Sequence, residues 1–190
     1  ARAAQLGTLL IPAAEVCLSG SDVILLNVRR QEIAELRNFD DLRKLRARRG
    51  DSLFTIAPHP FYVFSNSIGR RLLKEIDCFD AIEFCHLHKG LMNPNWIAAA
   101  VATRFRKRLI ATSDAHRLHA FGRHYTSIPR PGELTVEAIF AALRLGPVRL
   151  TSPSCSFRAR SNAPSFVFFS HPRRSLVPRR SGQCMPGSPA

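Results

Sequence analysis

The sequence lacks any long apolar segment, since none of its hydrophobic runs approaches the roughly 18 residues that a membrane-spanning helix needs. The first residues also lack the apolar core of a signal peptide. Its five cysteines, at positions 17, 78, 85, 155 and 184, include no C-x-x-C pair. These absences argue against a membrane protein, a zinc ribbon and a disulfide-stapled framework. They favour a cytoplasmic protein in which each cysteine is a small buried thiol.

Acidic residues are missing from positions 151–190, which hold nine Ser, six Pro and six Arg. Such a composition cannot bury enough apolar surface to offset its chain entropy, so we expect disorder there. A basic arm that contacts nucleic acid or a membrane is the alternative. Residues 1–150 contain the helical and strand-like patterns, and they are predicted to form one folded domain followed by the disordered 151–190 tail. Because the chain opens in a helical pattern without Met, we also expect residues before Ala1.

The net charge of +14 is the main argument for nucleic-acid binding. Outside the tail, however, the charge comes from 22 basic and 14 acidic residues, spread over predicted helices. This distribution is typical of solvated helix faces. The 13 phenylalanines occur in apolar patterns, without an aromatic-glycine RNA-binding signature. A nucleic-acid-binding module therefore stays open as an alternative function.

Strand-like and helix-like segments alternate along residues 1–150. Strands are predicted at 9–16, 22–28, 54–57, 81–84, 109–112 and 148–150, and helices at 38–50, 68–76, 93–105 and 135–145. This alternation predicts an α/β protein with a mainly parallel sheet.

Metal-type side chains stand at the ends of several predicted strands. Glu15 and His59 end two of them, and Asp114 and His116 follow another. The carboxyl ends of parallel strands meet at one edge of a sheet, so we expect these side chains to converge. Carboxylates and imidazoles together suit Zn, Mn or Fe better than Ca or Mg. The sequence predicts a metal centre near these side chains.

Three further polar residues receive weaker interpretations. Glu83, at the end of another predicted strand, favours a supporting role over direct ligation. His86 and His88 lie on the loop that follows and are expected to be exposed to solvent.

Four sequence blocks resemble the polymerase and histidinol phosphatase (PHP) family, and most closely its small stand-alone metal-dependent phosphoesterases. The blocks are Ile11-Pro-Ala-Ala-Glu-Val16, Ile56-Ala-Pro-His-Pro-Phe61, Phe79-Asp-Ala-Ile-Glu-Phe84, and Thr112-Ser-Asp-Ala-His-Arg117 with Phe121-Gly-Arg123. The resemblance implies a distorted, TIM-like (β/α)7 barrel. It also implies a centre of two or three Zn, Mn or Fe ions that hydrolyses phosphate esters of small substrates or nucleotides.

The same resemblance implies roles for individual residues. Glu15 would bridge two metal ions and His59 would be a terminal ligand, while Asp114 and His116 would complete the cluster. Glu15 and Asp114 are the expected catalytic residues. Arg117 or Arg123 would contact the substrate phosphate, and the alternative for each is a solvated arginine on a polar loop.

The chain also departs from the family pattern. The H-x-H strand end and the later D-H pair are missing, no histidine precedes His59, and Ala13 stands where the family usually has glycine. These departures imply an incomplete PHP barrel with impaired activity. A catalytically inactive PHP fragment is the second alternative.

Overall fold

The computed structural model describes residues 2–63, 66–88 and 93–154, so most of the predicted 151–190 tail lies outside the described residues. The strands are β1 (Ala13–Leu18), β2 (Ser21–Leu26), β3 (Phe54–Ala57), β4 (Ala81–Glu83), β5 (Arg108–Ile110), β6 (Tyr125–Ser127) and β7 (Arg149–Thr151). The α-helices are α1 (Arg2–Gln5), α2 (Arg30–Glu35), α3 (Phe39–Arg49), α4 (Asn95–Arg104) and α5 (Val136–Leu145). Short 3-10 helices lie at Gly50–Ser52, Gly69–Leu73, Ile76–Cys78 and Leu118–Ala120.

Strands β1 to β5 form one sheet in chain order, and β6 pairs with β7 in a separate two-stranded sheet. The β1–β2 and β2–β3 pairs are antiparallel, whereas β3–β4 and β4–β5 are parallel. Within the described ranges this mixed sheet does not close. The predicted (β/α)7 TIM-like barrel is therefore wrong, and so is the expectation of a mainly parallel sheet.

The turn between β1 and β2 explains much of this difference. Only Ser19 and Gly20 connect the two strands, with φ angles of 50° and 83°. Two successive positive φ values are typical of a type I′ hairpin turn. A parallel connection needs a dozen or more residues, so this turn forces an antiparallel pair where a barrel would need a β/α repeat.

The sheet is covered by apolar residues on both faces. Val23 and Leu25 point into a core shared with α3 and α4. Ile24 and Ile56 point to the opposite face and pack in a second core with Phe140 of α5. Residues from α4 to α5 are thus part of the same folded unit as the amino-terminal hairpin.

Several helix boundaries follow their predicted signals. The Asn38 side chain accepts hydrogen bonds from two backbone N–H groups at the start of α3, and Thr135 caps α5. The predicted helix at 68–76 is instead two short 3-10 helices, and neither α2 nor β6 was expected.

Two expectations based on absent features have different outcomes. Across the described ranges, no helix combines the length and the hydrophobicity needed to cross a membrane. Cys78 and Cys85 are buried free thiols, but Cys17 in β1 is disulfide-bonded. The expectation of unpaired thiols is therefore wrong for Cys17. The cysteines therefore do not establish a reducing compartment.

Candidate metal centre

The β1–β2 hairpin places two carboxylates on one face of the sheet. In its register Glu15 lies opposite Ile24, and Cys17 lies opposite Asp22. Directly opposite residues of antiparallel strands share a face, and so do residues two apart. Glu15 and Asp22 are consequently diagonal neighbours on the same side of the hairpin.

His59 brings an imidazole to these carboxylates from just beyond the end of β3. Its Nε2 lies 3.5 Å from Glu15 Oε1 and 3.9 Å from Asp22 Oδ2. Its φ angle is 31°, in the left-handed region that costs a non-glycine residue about 1–3 kcal/mol. The Ser67 hydroxyl donates to the His59 carbonyl, and the His59 N–H donates to the Glu83 carboxylate. These two contacts hold the unusual backbone in place.

The ligand-type atoms of Glu15, Asp22 and His59 all lie within 4.8 Å of one another. Two ligands that share one transition-metal ion at about 2.0–2.2 Å are separated by roughly 3–3.5 Å, so the spacing needs little adjustment. Two carboxylate oxygens and one imidazole nitrogen suit Mn, Fe or Zn. The Glu15 side chain is 45% exposed while those of Asp22 and His59 are 17% and 11% exposed, so the group opens to solvent on the Glu15 side.

The charges of this group are closely linked. Burial lowers the pKa of His59, but the hydrogen bond to Glu15 and the charges of Glu83, Glu15 and Asp22 outweigh it and raise the pKa to about 8. Burial, assisted by the charge of Glu15, raises the pKa of Asp22 to about 6. At neutral pH an imidazolium thus lies between two carboxylates, which is the place that a metal cation would take after displacing the proton.

Asp114 and His116 form a pair beyond the end of β5. His116 Nε2 lies 3.1 Å from Asp114 Oδ1, and Asp114 has a φ angle of 41°. The charge of Asp114 contributes to the raised pKa of Asp22 and of Glu83, which places it at the same end of the sheet. Of the four predicted ligands, the structure brings Glu15 and His59 together with Asp22, and it pairs Asp114 with His116 outside that tight group.

Glu83 ends β4 and is 1% exposed. Its carboxylate accepts hydrogen bonds from the His59 N–H and from the Thr112 hydroxyl. Burial raises its pKa. The side chain thus contacts the residues around the candidate ligands and is not a member of the tight group.

A histidine cluster borders the site. His88 is buried, and its Nε2 lies 3.1 Å from the Ser152 carbonyl oxygen, so the expectation of solvent exposure is wrong for it. The half-buried His86 ring lies 5.4 Å from that of His124. Burial is the main cause that lowers the pKa of His86 and of His124. Together with the charges of the nearby His86 and His88, burial lowers the pKa of His124 to about 4. Burial therefore disfavours the charged forms of the His86 and His124 imidazoles.

The remaining candidates stay predictions. Arg117 and Arg123 are exposed on the segment after His116, and their contact with a substrate phosphate stays a prediction.

Asp22 is the residue that the sequence analysis missed. It is the second residue of β2, after the turn at Ser19 and Gly20, and a hairpin through that turn would have placed it on the same face as Glu15.

Comparisons with known proteins support the family resemblance over part of the chain. Residues 93–148, which include Asp114 and His116, match the family model described as PHP-associated. No protein with a curated function matches the chain. Among solved structures, PsfC from Pseudomonas syringae PB-5123 shares the fold with a TM-score of 0.62 and 18% sequence identity. The match covers 85% of this chain and 66% of PsfC, just under two thirds of that protein.

The PHP-associated match spans α4, β5, β6 and α5, and it contains the sequence block with Asp114 and His116. The resemblance predicted from the sequence is thereby confirmed for this part of the chain. Residues 93–148 are thus similar to a PHP-associated domain, which is consistent with a PHP-family protein.

Proposed function

We propose that this chain is a metal-dependent phosphoesterase of the PHP type, with Glu15, Asp22 and His59 as ligands of a divalent transition-metal ion. The observation that carries the proposal is the convergence of these three side chains within 4.8 Å. The PHP-associated region supplies Asp114 and His116 at the same end of the sheet. Zn, Mn and Fe remain the candidate metals.

The exposed fraction of each candidate ligand indicates the role that we assign to it. A divalent ion held by Glu15, Asp22 and His59 would supply a nucleophile from water at neutral pH and would neutralise charge on phosphate oxygens. The half-buried Asp22 and the buried His59 fix the position of the ligand set, whereas the exposed side of Glu15 faces the solvent from which a substrate arrives. Asp114 orients the His116 imidazole through their 3.1 Å contact.

Phosphate recognition would come from Arg117 and Arg123. Both belong to the exposed segment that follows His116. A guanidinium can bind two phosphate oxygens at once, which fits a small phosphorylated substrate or a nucleotide.

The test is hydrolysis of p-nitrophenyl phosphate by chelator-treated protein that is reloaded with Mn²⁺, Zn²⁺ or Fe²⁺. We expect metal-dependent activity that Glu15→Ala and Asp114→Ala each lower by about 100-fold or more, because even indirect partners of metal sites cost 10–100-fold. Asp51→Ala, at a fully exposed carboxylate, is the matched control. Full activity in the Glu15 and Asp114 variants, or activity that survives chelation, would contradict the proposal.

The coverage of PsfC supports a second candidate, a PHP fragment that binds metal without catalysis. About a third of PsfC has no counterpart in this chain. Metal binding without hydrolysis in the same assay would favour this candidate.

The nucleic-acid alternative has weaker support, since several arginines are already engaged with acidic side chains. Arg46 and Arg144 both contact Asp80, and Arg49 contacts Glu32. Nucleic-acid binding with a steep salt dependence that persists after chelation would favour this third candidate.

A further inference from the structure

Glu83 is a buried carboxylate between two strand extensions that carry candidate site residues. Strand β4, which it ends, lies between β3 and β5 in the sheet. His59 stands two residues beyond the end of β3, and Thr112 stands two residues beyond the end of β5. Glu83 accepts a hydrogen bond from each of them, with one oxygen for the His59 N–H and the other for the Thr112 hydroxyl.

Both segments need an external constraint. His59 and Asp114 have φ angles of 31° and 41°, which non-glycine residues rarely adopt. Neither residue lies in a strand, so the sheet ladder does not fix its backbone. The His59 N–H, bound to Glu83, sets the direction in which the imidazole leaves the chain. Thr112, bound to the other oxygen, lies two residues before Asp114.

We infer that Glu83 is a positioning residue that couples the His59 backbone to the Thr112–Asp114 segment and so fixes the geometry of the metal centre. The inference rests on the proposed function for its consequence, which is metal affinity. The physical device is a pair of hydrogen bonds to one buried carboxylate, and an amide of the same shape can also make both of them.

The two hydrogen bonds predict different effects for two substitutions at position 83. In Glu83→Gln the amide oxygen can accept from the His59 N–H, and the amide NH₂ can donate to the Thr112 hydroxyl oxygen, which also accepts. Both links survive. In Glu83→Ala both links are lost, and His59 and Thr112 lose their common partner.

The first readout needs no metal. In chelated protein we measure hydrogen exchange of the His59 backbone amide by NMR for the wild type, Glu83→Gln and Glu83→Ala. We expect protection in the wild type and in Glu83→Gln, and at least tenfold faster exchange in Glu83→Ala. Equal protection in all three proteins would overturn the inference.

The second readout is the affinity for Mn²⁺ by titration. We expect Glu83→Ala to lose about 10–100-fold in affinity, as outer partners of metal ligands do, and Glu83→Gln to stay much closer to the wild type because it keeps both hydrogen bonds. A loss in Glu83→Gln as large as that in Glu83→Ala would overturn the positioning role and assign Glu83 a direct or purely electrostatic one. If the wild type binds no Mn²⁺, the proposed metal centre fails, while the amide exchange still decides whether Glu83 holds His59.

Two matched substitutions at Thr112, the second hydrogen-bond partner of Glu83, provide a test if Glu83→Ala does not fold. Thr112→Val removes one hydrogen bond at nearly constant volume, and Thr112→Ser retains it. We expect Thr112→Val alone to weaken Mn²⁺ binding. Equal affinity in the two Thr112 variants would contradict the coupling.

Discussion

Replacement of Asp22 by Asn removes one negative charge from the Glu15–Asp22–His59 group at nearly constant shape. Burial, together with the charge of Glu15, raises the pKa of Asp22 from 3.8 to about 6. The folded protein therefore holds this proton more tightly than the unfolded chain does. The stability that the proton contributes is complete below pH 3.8 and is lost as the pH rises through 6.

The size of the effect follows from that difference. Ionisation of Asp22 costs the metal-free fold roughly 0.5 kcal/mol at pH 4 and roughly 3 kcal/mol at pH 7 and above. Asparagine carries no charge at any pH, so Asp22→Asn avoids this cost. We expect the free energy of unfolding of Asp22→Asn to exceed that of the wild type by an amount that grows with pH and levels off above pH 7.

The assay is urea unfolding followed by circular dichroism, in the presence of a chelator, at unit steps from pH 4 to pH 8. Asp51→Asn is the control, because the Asp51 side chain is fully exposed. Saturating Mn²⁺ should reverse the order, since the wild type gains more from the ion than a variant that lacks one ligand. A variant that is no more stable than the wild type at pH 7–8, or a difference that does not depend on pH, would refute the reasoning.

Two further predictions follow from other contacts. Asp80, whose side chain is 9% exposed, contacts Arg46 at 2.7 Å and Arg144 at 3.1 Å, so Asp80→Ala should lower the free energy of unfolding in urea by about 3 kcal/mol. Asp51→Ala, at the exposed partner of the same Arg144, should leave it unchanged, and equal effects would contradict this prediction. Because the pKa of His59 is raised to about 8, the apparent Mn²⁺ affinity should rise about tenfold per unit between pH 6 and 8 and level off above, with one proton released per ion near pH 7. Calorimetric titration in buffers of different ionisation enthalpy measures that proton, and a pH-independent affinity would argue against His59 as a ligand.

Local signals in the sequence predicted much of the secondary structure. The Asn38 cap, the buried strand at Phe54–Ala57 and the α5 boundary at Gly146 depend on neighbouring residues, and they lie where the sequence placed them. The pairing of strands depends on connection geometry instead. Apolar runs alone do not tell a parallel strand from an antiparallel one, and the two-residue turn at Ser19 and Gly20 decided the matter.

The sequence predicted the part of the candidate site that depends on strand ends and missed the part that depends on strand pairing. Glu15 and His59 stand at positions that strand ends explain, and the structure brings them within 3.5 Å. Asp22 joins them only through the hairpin, whose register a barrel interpretation did not include. The burial of His88 depends on Ser152, which is distant in sequence and gave no local signal.

The position of Glu83 shows which feature the sequence can suggest and which it cannot. Its place at the end of a strand indicated a role near the ligands. That its two oxygens join the His59 backbone to Thr112 depends on the order of β3, β4 and β5 in the sheet.

The most direct test of the metal centre is equilibrium dialysis of the chelator-stripped chain against Mn²⁺ and Zn²⁺, followed by elemental analysis. The variants are His59→Ala, Asp22→Asn and the double substitution of Asp114 and His116 by Ala, with His119→Ala as an exposed histidine control. We expect at least one ion per chain in the wild type and in His119→Ala, and a loss of that ion in His59→Ala and Asp22→Asn. Wild-type metal content no higher than that of His59→Ala would contradict the metal centre, and Glu15, Asp22 and His59 would then be a salt-bridged cluster without a bound ion.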